Sequence, residues 1–126
     1  MEFINTDIKR MISQLSEYFS PKVVATINDH FIKIVKIKGD KVPWHYHDNS
    51  DELFYILEGE LKMEIESESP ITLKTDDLFV VKRNVKHRVS SKKECVLILI
   101  EHKNTEHTGI VNAEITKSIK EQIRKQ

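Results

Sequence analysis

Residues 39–59, GDKVPWHYHDNSDELFYILEG, hold two histidines two positions apart, with a glutamate five positions after the second. Residues two apart share one face of an extended chain, whereas on a helix they point about 200° apart. His45 and His47 can therefore present two imidazoles to one point only if this segment is extended. Pro43 favours an extended residue before it, and the aromatic residues beside the histidines are typical of strands.

The next four residues, Asp-Asn-Ser-Asp at 48–51, predict a turn. The turn lets Glu52 return beside the histidines at the start of a predicted strand, Glu52–Leu57. Two neutral imidazoles and a carboxylate at one point suit a first-row transition metal. The alternative is a pair of surface histidines around a polar turn. The combined spacing, with a glycine at each end of the stretch, favours the metal site.

These residues resemble the first motif of the cupin family, which is Gly, five residues, His-x-His, four residues, Glu, six residues, Gly. Residues 76–87 fit the second cupin motif, which ends in a histidine, here His87. In this chain Asp76, Lys82 and Asn84 stand where that motif has Gly, Pro and Gly. Asp and Asn tolerate left-handed turn geometry better than other non-glycine residues, so the two glycine losses are mild.

The resemblance is strongest over Val35–Glu101 and extends to small single-domain cupins labelled mannose-6-phosphate isomerase-like. That label reflects a shared barrel and metal-site type and is not taken as an activity. The resemblance implies four metal ligands: His45, His47, Glu52 and His87. It also implies one divalent transition-metal ion (Fe, Mn, Zn, Ni or Co), because the ligand set does not select among these metals.

Short stretches of alternating apolar and polar residues predict about eight strands, separated by turn signals and without crossover helices. We therefore expect an all-β fold, an antiparallel cupin barrel or double-stranded β-helix jelly roll. The strand face that carries Glu52 is expected to point inward. The residues expected to line the pocket are Phe54, Ile56, Met63, Val89 and, from the C-terminal segment, His107.

The two ends of the chain carry helical patterns. Apolar residues at i, i+3, i+4, i+7 and i+11 from Ile8 predict an N-terminal helix, capped by Thr6 or Asp7 and running to about Phe19. Its apolar stripe is expected to pack on the barrel or on a second subunit, as in a homodimer. A partner-binding helix is the alternative. We divide the chain into an N-terminal helical extension (1–20), a cupin barrel (21–111) and a short C-terminal helix or solvated tail (112–126).

Composition narrows the partners and the location. The 126 residues carry 20 basic and 20 acidic side chains, so no broad charged surface for nucleic acid or a membrane is expected. The longest apolar run, Cys95–Ile100, has six residues and is too short to span a bilayer. A single cysteine excludes an internal disulfide and fits a reducing cytoplasm. Cys95 is expected to pack as a small apolar residue, and a nucleophilic role is the alternative.

Two classes of function fit this sequence. The first is a metalloenzyme acting on a small polar metabolite, with the reaction unassigned because cupins carry out several kinds of chemistry. The second is a non-catalytic small-molecule-binding or regulatory cupin module. A catalytic metal keeps an open coordination position, whereas a structural metal is closed by protein ligands. Whether the chain is an enzyme is left open by its sequence.

Overall fold

The computed structural model describes residues 3–105, which form an antiparallel β fold with one short helix. The elements are α1 (Ile8–Ser13), β1 (Lys22–Ile27), β2 (His30–Gly39), β3 (Glu52–Glu58), β4 (Glu60–Ile65), β5 (Ile71–Lys74), β6 (Leu78–Val81) and β7 (His87–His102). The predicted all-β class with an N-terminal helix is confirmed. The predicted C-terminal helix or tail and His107 lie outside the described residues.

Two sheets share the long strand β7. The larger sheet has the order β1-β2-β7-β3-β6, and its neighbouring strands are antiparallel. In the smaller sheet β4 pairs with β5 on one side and with the first residues of β7 on the other. Side chains from both sheets meet in one hydrophobic cluster. Because β1, β5 and β6 each pair on only one side among residues 3–105, the fold is an open jelly roll rather than a closed barrel.

The inward face of β3 is the one that carries Glu52, as the alternation predicts. Glu52, Phe54 and Ile56 are buried, whereas the residues between them are only half-buried. The same period of two runs through β4, where Leu61 and Met63 are fully buried. The carboxylate of Glu52 is therefore held on the same surface as the apolar core.

The last strand is longer than predicted. The sequence predicts a strand over Glu94–Glu101 and a strand start near His87, and the structure joins these two stretches in one strand of 16 residues. The polar residues before Glu94 are typical of a loop, yet they continue the strand. β2 pairs with β7 on both sides of a register irregularity, which lies between Ile37 and Gly39 of β2. One strand therefore runs from His87 to the most buried part of the fold.

The N-terminal helix is shorter than predicted. It ends at Ser13 rather than near Phe19, although Asp7 caps it by accepting a hydrogen bond from the Arg10 N–H at 3.2 Å. Leu15 and Phe19 leave the helical path and become buried, and the Phe19 N–H donates to the Lys36 carbonyl at 2.8 Å. A short helix is marginal in water, so burial of these two side chains decides the path. No helix within residues 3–105 is long and apolar enough to cross a membrane.

The two turn residues that replace motif glycines take the predicted geometry. Asp76 has φ +74° and Asn84 has φ +69°, both in the left-handed region. The Asn84 N–H donates to the carbonyl of His47 at 2.7 Å. The turn of the second motif is therefore hydrogen-bonded to the histidine segment of the first.

The corner between β3 and β4 provides a test of this packing. Gly59 has φ +86°, and a Cβ there would lie 2.6 Å from the Glu94 carbonyl oxygen. Gly39 has φ +95°, but a Cβ there would meet nothing within 4 Å. We expect Gly39→Ala to lower the free energy of unfolding by about 1–2 kcal/mol through backbone strain. Gly59→Ala should lower it by about 1–3 kcal/mol more, because the β7 backbone must also move.

Urea denaturation of the two variants beside the native protein measures both losses. Equal losses for the two alanines would contradict the close approach of Gly59 to β7.

Candidate metal centre

Four side chains converge at one end of the interior: His45, His47, Glu52 and His87. Their candidate ligand atoms all lie within 4.8 Å of one another, and each residue is at most 3% exposed. His45 and His47 come from the segment before β3, Glu52 begins β3, and His87 begins β7. The sequence motifs thus bring together residues up to 42 positions apart (87 − 45).

The backbone fixes two of the histidines against each other. The N–H of His45 donates to the carbonyl of His87 at 2.9 Å, and the N–H of His87 donates to the carbonyl of His45 at the same distance. This pair of bonds is an isolated antiparallel bridge. The predicted extended segment at Pro43–His47 is therefore present as a bridge rather than as a full strand.

The same two histidines have a defined tautomer. Nδ1 of His45 lies 2.8 Å from the carbonyl oxygen of Pro43, and Nδ1 of His87 lies 2.9 Å from that of Val85. A carbonyl oxygen can only accept, so each Nδ1 carries the hydrogen and donates it. In a neutral ring this leaves the lone pair on Nε2, and it is Nε2 that metal-ligating histidines present when Nδ1 is held in this way.

Glu52 lies between the rings of His47 and His87. Its Oε1 is 3.2 Å from Nε2 of His47 and 3.2 Å from Nε2 of His87. Because Nδ1 of His87 already donates to a carbonyl, a neutral His87 would aim a lone pair at a carboxylate oxygen. Only a proton or a cation between the two atoms removes that conflict. Three imidazole nitrogens and one carboxylate fit a divalent transition metal.

The electrostatics of the cluster agree with this donor set. Burial, assisted by the nearby His87, lowers the pKa of His45 to about 4, so this ring is neutral at pH 7. Burial raises the pKa of Glu52, but hydrogen bonds from His47 and His87 outweigh it and hold that pKa well below its usual range. Burial lowers the pKa of His47, but the hydrogen bond to Glu52 and the charges of Glu52 and Glu101 together outweigh this effect and raise the pKa, so a metal at Nε2 would compete with a proton there. An ionised carboxylate and a neutral His45 are the forms that a metal requires.

A small cavity of about 40 Å³ lies beside the cluster. His45 and Glu52 are its polar lining residues, and the other lining side chains are apolar. They come from the N-terminal segment and from β2, β3 and β7, and include Phe19, Val35, Ile37, Phe54, Val89 and Leu97. The cluster is therefore reached through an apolar space.

The expected pocket residues fall into three groups. Phe54 and Val89 line the cavity. Ile56 and Met63 are fully buried in the hydrophobic core but are not among the lining residues. His107 lies outside the described part of the chain. Phe19 also lines the cavity, and this position was not predicted. The helical spacing places Phe19 on a continuous helix, and nothing in the pattern indicates that the helix ends early.

A buried ion pair near the cluster was also missed. Nζ of Lys33 donates to Oε1 of Glu101 at 2.7 Å, and the two side chains are 1% and 0% exposed. Strand alternation could have found both residues. Lys33 is in phase with the buried Val35 and Ile37 on β2, and Glu101 is in phase with Leu99 on β7.

The chain is similar to known proteins in sequence and in fold. The family profile described as Cupin domain matches residues 33–101, more than half of the chain. The Bacillus subtilis (strain 168) protein YdbB is 34% identical over 83 residues, which are 66% of this chain and 73% of YdbB.

Two crystal structures are similar over most of their length. One is a cupin-2 domain containing protein from Shewanella frigidimarina, with 32% identity and a TM-score of 0.73, covering 77% of this chain and 93% of that protein. The other is protein NMB1881 from Neisseria meningitidis, with 28% identity and a TM-score of 0.71, covering 78% and 98% of the two chains. The resemblance drawn from the two sequence motifs is confirmed.

The single thiol is expected to be inert in the folded protein. Cys95 is fully buried, and burial raises its pKa to about 12. The thiolate is the reactive form, so iodoacetamide at pH 8 should leave native Cys95 unlabelled and label it in denaturant, as measured by intact-mass spectrometry. Ser69→Cys, on an exposed loop, is the positive control. Labelling of native Cys95 as fast as of that control would restore the nucleophile hypothesis.

Proposed function

We propose, since this chain belongs to the cupin family, that it binds one divalent transition-metal ion and is a metalloenzyme acting on a small polar metabolite. The proposed ligands are His45, His47, Glu52 and His87, and Fe, Mn, Zn, Ni and Co all accept this donor set. The observation that carries the proposal is the 3.2 Å approach of Nε2 of His87 to Oε1 of Glu52, with Nδ1 of the same ring already bonded. A cation bound to both atoms turns a repulsive contact into two favourable ones.

The cavity sets the kind of ligand that can reach the metal. A bound metal would supply Lewis acidity or redox chemistry to a molecule in its open positions. The polar end of that molecule would lie at His45 and Glu52, and its remainder would lie against apolar side chains such as Phe54 and Val89. A volume of about 40 Å³ holds about three water-sized groups, so the enclosed part of the ligand is small.

The alternative is a non-catalytic small-molecule-binding or regulatory cupin module. One observation favours it: the polar lining residues of the cavity, His45 and Glu52, are themselves proposed metal ligands. A general acid or base must come within hydrogen-bond reach of the reacting group, and no further titratable side chain of residues 3–105 lines this cavity. An enzyme of this design would take its proton transfers from metal-bound water or from the substrate.

Two further proposals concern the cellular location of the protein and the division of its chain into segments. We propose the cytoplasm, because the one cysteine of the chain is a buried thiol, as expected of a protein kept in a reducing compartment. We retain as a proposal the division into a helical extension (1–20), a barrel (21–111) and a C-terminal helix or tail (112–126).

Metal content is the first measurement. We expect purified native protein, or protein reconstituted with each candidate metal, to carry about one equivalent of metal by elemental analysis. The double variant His45→Ala/His87→Ala should carry none, because it loses two nitrogen ligands. The matched control is His30→Ala/His102→Ala, which removes two histidines whose rings lie 5.9 Å apart outside the cluster. Its metal content should equal that of the native protein.

The identity of the metal narrows the chemistry, since iron favours dioxygen reactions and zinc favours Lewis-acid reactions. Equal metal in the native protein and the cluster variant, or none in either after reconstitution, would contradict the site. The chain would then be better described as a plain binding barrel.

We also propose that the protein is a homodimer that uses its N-terminal segment. Phe3 is 84% exposed and Ile4 is 62% exposed, and large apolar side chains this exposed are common at protein interfaces. Light scattering after size exclusion should give twice the mass of one chain. Phe3→Ser/Ile4→Ser should shift this to the monomer, whereas Ile71→Ser, at an exposed isoleucine on β5, should not. A monomer mass for the native protein would contradict the proposal.

A further inference from the structure

Two buried side-chain polar atoms of residues 3–105 lack a hydrogen-bond partner: Nδ1 of His47 and Oε2 of Glu101. Buried polar atoms are nearly always paired in native proteins, so each such atom requires an explanation. The two are chemically complementary. A ring nitrogen that carries hydrogen is a donor, and a carboxylate oxygen is an acceptor.

The sheet register places these two residues near each other. Leu53 of β3 lies opposite Ile100 of β7, so the next pair along these antiparallel strands is Glu52 and Glu101. Both carboxylates point inward. Glu52 is the residue that bonds Nε2 of His47, so Glu101 lies beside the partner of that ring.

Glu101 is an outer neighbour of the cluster rather than a fifth ligand. The group of ligand atoms within 4.8 Å of one another contains the three histidines and Glu52 but not Glu101. One of its two oxygens is already engaged, because Oε1 accepts from Lys33. The free oxygen is therefore available to an outer atom of the cluster, such as the far side of a ligating ring.

His47 differs from the other two histidines in the way its ring is held. His45 and His87 each donate Nδ1–H to the carbonyl two residues earlier. For His47 the corresponding carbonyl is that of His45, which already accepts the backbone N–H of His87. Nδ1 of His47 makes no hydrogen bond to this carbonyl, so His47 lacks the backbone support that the other two rings have.

We propose that Glu101 is the positioning residue of His47: Oε2 of Glu101 accepts a hydrogen bond from one buried water, and that water accepts from Nδ1–H of His47. Lys33 holds the carboxylate in place through Oε1. This inference rests on the proposed metal site, since it assigns Nε2 of His47 to the metal. A carboxylate on the outer nitrogen of a ligating histidine fixes the ring and makes it a stronger ligand.

The buried lysine has a clear part in this arrangement. Burial and the neighbouring charge of Glu52 raise the pKa of Glu101 to about 8, so an isolated carboxylate here would tend to take up a proton. Lys33 opposes this by placing a positive charge 2.7 Å from Oε1. The side chains of Ser50 and Thr105 are also buried at this end of the interior, which limits the access of bulk water. A donor for Oε2 is therefore expected among the buried groups around it rather than in bulk water.

Two variants remove the carboxylate in different ways. Glu101→Gln keeps the size and removes the charge. Lys33→Met/Glu101→Leu replaces the whole pair by apolar side chains of similar size, a change that folded proteins often accept without loss of stability. The affinity of metal-free protein for zinc, measured by competition with a chelator, should fall about 10–100-fold in both variants.

The matched control is Glu64→Gln. Its carboxylate accepts from Arg88 at 3.1 Å and is not part of the group of candidate ligand atoms. This variant should bind zinc with native affinity. The thermal midpoint of each variant is measured in chelator, so that a loss of metal affinity is separated from a loss of folding.

A spectroscopic measurement distinguishes positioning from a merely structural ion pair. In nitrogen-15 spectra of the zinc-loaded native protein, Nδ1–H of His47 should exchange slowly with water. In both Glu101 variants it should exchange fast. The Nδ1–H groups of His45 and His87 serve as internal controls, because their carbonyl acceptors are unchanged.

The outcomes for this inference and for the metal site are separable. Native zinc affinity in folded Glu101 variants, with unchanged exchange at His47, would overturn the role of Glu101 and leave the metal site intact. If native protein binds no metal, the proposed function fails, and the exchange measurement on metal-free protein still decides the inference. Fast exchange of the His47 Nδ1–H there would overturn it, and slow exchange that depends on Glu101 would support it.

Discussion

The pair of backbone hydrogen bonds between His45 and His87 is the constraint on which the site depends. It joins the segment before β3 to the start of β7, and so holds together two motifs that are distant in the sequence. With the backbone fixed, the carbonyls of Pro43 and Val85 lie where each ring can donate Nδ1–H to them. Nε2 of His87 then lies 3.2 Å from Oε1 of Glu52, and Nε2 of His45 is left free to bind a metal. The tautomers of two candidate ligands are thus consequences of main-chain geometry rather than of side-chain partners.

The third histidine is held differently. Nδ1 of His47 makes no hydrogen bond to the carbonyl two residues earlier, that of His45, and Nε2 of His47 lies 3.2 Å from the buried carboxylate of Glu52. A buried carboxylate is costly unless it is paired and hydrogen-bonded. The buried Lys33 meets part of that cost for Glu101, and a metal ion would meet it for Glu52. With the proposed metal and the proposed link from Glu101 to His47, the polar groups at this end of the interior would form one connected arrangement in which each charge has a neighbour of opposite sign.

The sequence predicts the parts of this structure that depend on local spacing. The His-x-His pair and Glu52 converge because an extended chain has a period of two, and Asp76 and Asn84 take left-handed turns because their side chains tolerate them. Features set by tertiary packing are not predictable in this way. Phe19 leaves its helical pattern to cover the cavity, and β7 runs through a polar stretch because β2 pairs with it beyond the irregularity. The Lys33–Glu101 pair is partly predictable. Alternation places both residues on the inward face of their strands, but a charged residue on a core face is not expected unless its partner is also known.

The interior is chemically divided, and this division bears on what the site can do. The carboxylates and Lys33 lie at one end, whereas the cavity beside His45 and Glu52 has apolar walls. A ligand that enters the cavity loses water and gains no hydrogen bonds from the walls, so its polar atoms must be satisfied at the metal cluster. That requirement would favour small molecules with polar atoms at one end only as ligands of the proposed site. The apolar walls would also strengthen every electrostatic interaction of a bound metal, because they are of low polarity. The walls would thus set the orientation of the ligand, and the charged residues would set the properties of the metal that it meets.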